Sequence, residues 1–277
     1  MDYKDSHWHI EVLKDEVKRG HFKSALFDFD GTISLIRQGW QEVMVPYFTE
    51  VLLETPEAED LDTLSACVRD FVDLLTGKQT IYQCIRLAEE VEKRGGRPED
   101  PLVYKRGYNR RLLERINYRI QGLEDGSLKP EDLLVPGSLS FLSLLRERSM
   151  VLYLASGTDE PYVLKEAELL GISSFFDGGI YGARDDYKTF SKAMVIQRII
   201  ESHGLSGYEL LGFGDGYVEI ENVKAVDGFA VGVASDEVRR IGVDEWKRNR
   251  LIGAGADIII PDFREAAELD HYLFQGR

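Results

Sequence analysis

Cysteine is nearly absent. Cys67 and Cys84 are the only two in 277 residues, and neither has a Cys-x-x-Cys partner. A disulfide framework and a zinc site are therefore not expected, and both thiols are read as buried core groups. Cationic residues are also in deficit: Lys and Arg total 34 against 49 Asp and Glu, a formal charge of -15. Repulsion from a phosphate polyanion opposes docking on nucleic acid or on a membrane surface, so an anionic substrate would need a local positive pocket. No apolar run approaches the roughly 18 residues that span a bilayer. The start Met1-Asp2-Tyr3-Lys4-Asp5 lacks the charged-then-apolar pattern of a secretion signal, and a cytoplasmic location is the expectation. Histidine is sparse, and the neighbouring pair His7 and His9 lies in a polar arm, read as exposed and not as metal-ligating.

What the chain has is 43% hydrophobic residues, enough for a packed core in one large or two moderate domains. One stretch organises the rest. Ala25-Leu26-Phe27 is an apolar run of the buried-strand kind, and it breaks into Asp28-Phe29-Asp30-Gly31-Thr32. Burying two carboxylates one residue apart is costly unless something pairs with them. A divalent cation would supply that pairing, and with Asp28 as a nucleophile the stretch becomes a phosphoryl-transfer centre. A surface turn is the plain alternative, since Asp and Gly are common turn residues, but the preceding apolar strand argues against it.

Along the chain, Ile10, Leu13 and Val17 make a short amphipathic helical pattern that Gly20 stops. Apolar spacing predicts a helix from Ile36 to Leu52, which Pro46 should kink or interrupt. Further helices are expected over Leu61–Leu75, from Thr80 to Gly95, and after Pro101 through Ile120. Pattern then switches to strands at Met150–Leu154, Glu209–Phe213, Phe229–Val233 and Ile258–Ile260, alternating with helices from Leu139, Pro161 and Ser191. The fold class predicted is α/β: a Rossmann-like parallel sheet with helices on both faces, plus an all-α cap inserted after the first catalytic strand. Residues 1–35 and 130–277 are assigned to the catalytic core and 36–129 to the cap. Ligands of such sheets sit beyond the carboxyl ends of the strands, where Asp28, Ser156 and Asp215 all fall.

The ordered set Asp28-Phe29-Asp30-Gly31-Thr32, Ser156-Gly157-Thr158, Lys192 and Gly214-Asp215-Gly216-Tyr217-Val218-Glu219 resembles the four motifs of the haloacid dehalogenase superfamily of phosphatases. The helical insert resembles that family's mobile cap. The resemblance implies a Mg2+ ion held by Asp28, Asp215 and the backbone carbonyl of Asp30, with Asp28 attacking phosphorus to give an aspartyl phosphate. Asp30 would protonate the leaving oxygen and then deprotonate water. That second carboxylate disfavours carbon–halogen hydrolysis. Ser156 and the Gly157 amide, with Thr158 as an alternative donor, would bind phosphoryl oxygens. Lys192 and Lys188 compete for the third motif, and Lys192, at a helix start, is preferred. Glu219 stands where the family usually has Asp, and is read as acting through water or orienting Lys192; Glu221 and Asn222 are nearby alternatives.

Specificity is expected from the cap. Lys105, Arg106, Arg110, Arg111, Arg115 and Arg119 crowd one helix against Glu114; a solvated face, or ion pairs with the acidic segment Glu54 to Asp62, is the plain reading for most of them, and one or two arginines facing the cleft would suffice to recruit an anionic substrate. Arg37, Trp40, Lys78 and Gln79 are candidate substrate contacts. The activity expected is a Mg2+-dependent phosphatase acting on a small phosphorylated metabolite, a sugar phosphate or a nucleoside monophosphate. A phosphotransferase or phosphomutase of the same superfamily is the alternative in catalysis, and a catalytically weak binding or regulatory module the alternative outside it. The N-terminal helix and Trp8 are read as either a homodimer contact or a cover for the sheet edge.

Overall fold

The computed structural model describes residues 9–14, 18–189 and 191–275. Among them seven strands form one sheet: β1 (Glu11–Val12), β2 (Ser24–Phe27), β3 (Val151–Asp159), β4 (Gly179–Ala183), β5 (Leu210–Gly214), β6 (Phe229–Val233) and β7 (Ile258–Ile260). Their order is β1-β7-β6-β5-β2-β3-β4, parallel except for β1, which runs antiparallel to β7. From β2 the chain builds outward first on one side, through β3 and β4, and then on the other, through β5 to β7. The switch point lies between β2 and β5, where open α/β sheets leave a crevice.

Four helices fill the connection from β2 to β3: α1 (Gln41–Leu53), α2 (Leu61–Leu75), α3 (Thr80–Lys93) and α4 (Pro101–Asp125). Two of them, α2 and α4, start on side-chain caps. Asp60 caps α2 by accepting from the Thr63 N–H, Asp100 caps α4 with Pro101 in its first turn, and Gly126 ends α4 with a left-handed backbone. Leu64, Val68, Phe71, Leu87, Leu112 and Ile116 repeat at helical spacing and are buried between these helices.

The remaining helices cover the sheet. On one face α5 (Ser138–Glu147), α6 (Glu160–Leu169) and α10 (Ala266–Phe274) pack on Ala25, Phe27, Leu152, Leu154, Leu211 and Phe213. On the other, α7 (Lys192–His203), α8 (Tyr217–Lys224) and α9 (Glu245–Gly253) pack on Leu26, Tyr153, Leu210 and Ala230. Sheets buried on both faces read as continuous apolar runs, as β2 and β7 do. Phe27 and Phe213, paired across β2 and β5, stack with ring centroids 4.5 Å apart under the site. Truncating such a ring costs about 3–5 kcal/mol.

Three details depart from the sequence reading. Glu11 and Val12 pair with Ile259 and Ile258 as an edge strand where a helix was expected, because the open edge of β7 offers backbone partners; His7, Trp8 and Val17 lie outside the described residues. Helix α1 begins at Gln41, after a run of turns, and continues through Pro46 without a break. Strand β4 went unread because two glycines among Gly179-Ile180-Tyr181-Gly182-Ala183 signal a turn. Among the described residues no helix is long and apolar enough to cross a membrane.

Candidate active site

Register brings the motifs to one edge. Phe27 pairs with Leu154 on β3 and with Phe213 on β5, so Asp28 and Asp215 emerge just past the carboxyl ends of β2 and β5, beside Ser156 in the second half of β3. The Asp28 N–H donates to the Phe213 carbonyl at 2.9 Å, extending the β2–β5 ladder to the first carboxylate. Beyond it the chain turns at Gly31 (φ +76°), whose N–H donates to the Ser34 carbonyl. Thr32 locks this turn to the next strand, its hydroxyl accepting from the Asp215 N–H at 3.0 Å.

Asp28 is 6% exposed and its Oδ1 accepts from Lys192 Nζ at 2.7 Å. Lys192 opens α7, behind the Ser191 cap, and also contacts Glu219, so one buried ammonium joins two buried carboxylates. Burial raises the Asp28 carboxyl above the usual carboxylate range; the Lys192 cation pulls it back, and the Asp215 charge pushes it up again. Lys188 lies exposed on the preceding segment, near the Tyr187 ring.

Asp30 has a different environment. Its Oδ2 accepts from Thr158 Oγ1 at 2.9 Å and from Ser156 Oγ at 3.1 Å, while Oδ1 has no hydrogen-bond partner. Burial pushes its pKa up to about 6 despite the Arg37 cation, whose Nε lies 4.0 Å from Oδ1. Arg37 is itself committed to Glu166, with Nη2 donating at 2.6 Å and Nε at 3.1 Å. Arg37, read as a candidate substrate contact, thus stands in the cavity wall as half of a buried ion pair.

Cap and core residues together line a partly open cavity of about 100 Å³. Trp40 and Lys78 line it with Asp28, Asp30, Ser156, Gly157, Lys192 and Asp215. Gly157 meets the turn before α3 so closely that a Cβ there would sit 2.8 Å from the Lys78 carbonyl oxygen. Gln79 is buried beside this cavity and donates to the Tyr187 carbonyl at 3.4 Å. The basic helix α4 spends its charge elsewhere: Arg111 and Arg115 pair with Glu50 and Glu42 of α1, and Arg119 donates to the Ile36 and Gln38 carbonyls. The partners are therefore not the acidic segment Glu54 to Asp62, since α1 is the neighbour that α4 packs against.

Asp28, Asp215 and the Asp30 carbonyl, which accepts no hydrogen bond among the described residues, form a donor set that fits a hard divalent cation. Repulsion between the Asp28 and Asp215 charges is the strain such a cation would relieve. Among the described residues no three His, Cys, Asp or Glu side chains form a ready metal cage. Two carboxylates and a carbonyl, with waters and a phosphate completing the shell, are what Mg2+ ordinarily takes.

The model of the haloacid dehalogenase-like hydrolases matches residues 22–227. This chain belongs to that family. Solved structures of similar fold include a predicted phosphoglycolate phosphatase from Haemophilus somnus 129PT, with TM-score 0.60 and 16% identity over 90% of this chain and 98% of that one. A HAD hydrolase, family IA, variant 3, from Entamoeba histolytica gives TM-score 0.61 and 18% identity over 92% and 100% of the two chains. A β-phosphoglucomutase from Clostridium difficile gives TM-score 0.55 and 16% identity over 84% and 98%. No curated protein sequence matches the chain.

In this haloacid dehalogenase-like hydrolase the structure adds residues that sequence reasoning passed over. Lys247 of α9 is 8% exposed, and its Nζ lies 2.8 Å from Asp215 Oδ2 and 2.7 Å from Glu237 Oε1. Burial opposes its charge, but the two carboxylates more than compensate and hold its pKa above the ordinary lysine value. Ser235 donates to the Gly31 carbonyl at 2.6 Å, tying the loop after β6 to the first motif. No spacing in the sequence marks Lys247, since it is an isolated lysine in a polar helix. Glu166 was equally silent, lying in the charged stretch Lys165-Glu166-Ala167-Glu168 of α6.

Proposed function

We propose that the chain is a Mg2+-dependent phosphatase of small phosphorylated metabolites, working through an aspartyl phosphate, with residues 36–129 as a lid on a core of 1–35 and 130–277. The observation that carries this is the pairing of two carboxylates one residue apart in unlike settings. Asp28 presents an oxygen beside the Lys192 ammonium, whereas Asp30 is held by Ser156 and Thr158 with a pKa pushed up to about 6. Environments of this kind divide a nucleophile from an acid/base. Asp28 attacks phosphorus as the bond to the leaving oxygen breaks, and Asp30 gives that oxygen its proton. Asp30 then takes a proton from the water that attacks phosphorus, and the bond to Asp28 breaks to release phosphate.

Lys192 and the Ser156–Gly157 segment support the phosphoryl oxygens in this reading, and Glu219 orients Lys192. Mg2+, held by Asp28, Asp215 and the Asp30 carbonyl, would neutralise phosphoryl charge. The test is phosphate release from a panel of monoesters with and without Mg2+. Wild type is expected to be active only with the ion, and Asp28→Asn inactive; turnover retained in Asp28→Asn would sink the covalent route. Isotope-labelled water separates the outcomes further: phosphate recovered on another hydroxyl instead of in water would make the chain a phosphotransferase.

A further inference from the structure

Two polar side chains at the cap end of the cavity have no hydrogen-bond partner among the described residues. Gln83 of α3 is 3% exposed and Tyr108 of α4 is 4% exposed, both line the same cavity as Asp28 and Asp30, and neither side chain makes a hydrogen bond among the described residues. Buried amides and phenols are ordinarily satisfied, so each such group in a native fold needs an explanation. Neither is sealed away from solvent, because the buried atoms without partners in this region are those of other residues, such as Asp30 Oδ1. Their open hydrogen-bonding capacity therefore points into the cavity.

We propose that Gln83 and Tyr108 are specificity-determining residues that read hydroxyl groups on a small, uncharged leaving group. This rests on the phosphatase reading and narrows its substrate class. An amide and a phenol each both donate and accept, which suits a hydroxyl that does the same. Burial raises the Tyr108 pKa well above that of a free phenol, although the Arg37 cation opposes the rise, so a neutral donor is kept at physiological pH. A carboxylate in that place would call for an uncommitted cation. Arg37, the buried cation of this wall, is matched by Glu166, whereas Lys78 lines the cavity from an exposed turn, so a carboxylate ester is the rival that the experiment must include.

The experiment compares three esters in the presence of Mg2+: glycerol 3-phosphate, propyl phosphate as its counterpart without hydroxyls, and phosphoglycolate as a carboxylate of similar size. Wild type is expected to prefer glycerol 3-phosphate in kcat/KM. Tyr108→Phe and Gln83→Leu should each lose about tenfold on that ester, the worth of one hydrogen bond, and stay within twofold on propyl phosphate. Propyl phosphate also reports folding, because a misfolded variant loses both activities. Equal losses on the two esters, or a wild-type preference for phosphoglycolate, would overturn the inference and leave the phosphatase reading standing. Hydrolysis of none of a broad monoester panel by wild type would bring down both.

Discussion

At Gly31 the backbone turns with φ +76°, and a Cβ there would lie 2.2 Å from Asp215 Oδ2 and 3.0 Å from Glu237 Oε1. The turn thus leaves no space for a side chain beside the second proposed metal carboxylate. Gly31→Ala is expected to lose about 1–2 kcal/mol of stability for the left-handed backbone. It should also lower kcat/KM by more than tenfold, as Asp215 is displaced; denaturant melts and Mg2+ titrations of activity check the two effects separately. Lys247 raises the opposite question, that of a cation already seated on Asp215. Lys247→Met would leave Asp215 and Glu237 facing each other, and removing one member of a buried pair costs about 3 kcal/mol. Added Mg2+, binding the folded chain, should return more stability to this variant than to wild type, read as the shift in melting temperature between EDTA and 10 mM (roughly) ion.

Helix α4 carries one of the ties between cap and core, alongside those from Leu74 to Tyr217 and from Asp73 to Arg250. Lys105, 3% exposed, lies 2.5 Å from Asp159 Oδ1 and 3.3 Å from Asp185 Oδ1, and Asn109 donates to Asp159 Oδ2 at 2.9 Å. Both aspartates belong to segments that lead from the site, one following Ser156-Gly157-Thr158 and one preceding Lys192. Lys105→Met keeps the stem and removes the tie. If the closed fraction falls to about a fifth, apparent KM rises about fivefold while kcat stays within twofold, because the apparent affinity scales with the competent population. A fall in kcat at constant KM would refute the tie. This fastening was beyond the sequence, where Asp159 reads as an N-cap; in the fold it occupies that position but makes no capping bond and turns to α4. The helices and parallel strands were legible because burial on one stripe or on both faces leaves a period or an apolar run. Glu11–Val12 and Gly179–Ala183 were not, since edge strands borrow their stability from a neighbour's backbone. Motif residues could be read from order alone, as with Asp28 and Asp215, but Lys247 beside Asp215, Glu166 beside Arg37, and the cavity-lining Gln83 and Tyr108 come from helices whose facing is set only by tertiary packing.

Across the whole molecule a formal charge of -15 sets a second demand, for self-repulsion weakens the compact state wherever the charges remain unneutralised. Ion pairs distributed over the surface act in the opposite sense. Arg248 holds Glu11 below the usual carboxylate range, Lys23 does so for Glu209, and Arg146 and Arg239 oppose the burial of Asp177 and Asp236 strongly enough to lower them too. Carboxylates lowered in the folded chain contribute stability that is present above their unfolded values, near pH 4, and is lost as pH falls through the lowered folded ones. Protonation on the way down from neutrality relieves the net repulsion first, as the charge approaches zero at the pI near 4.9. Thermal melts in low salt with EDTA are therefore expected to peak at about pH 5–6, with a steep acid limb and a shallow neutral one. Raising NaCl to about 0.3 M, where screening shortens to roughly 5–6 Å, should lift the neutral limb and leave the acid limb little changed. A melting temperature at pH 8 that falls with salt would mean that attraction among the surface pairs outweighs the repulsion of the excess acid groups.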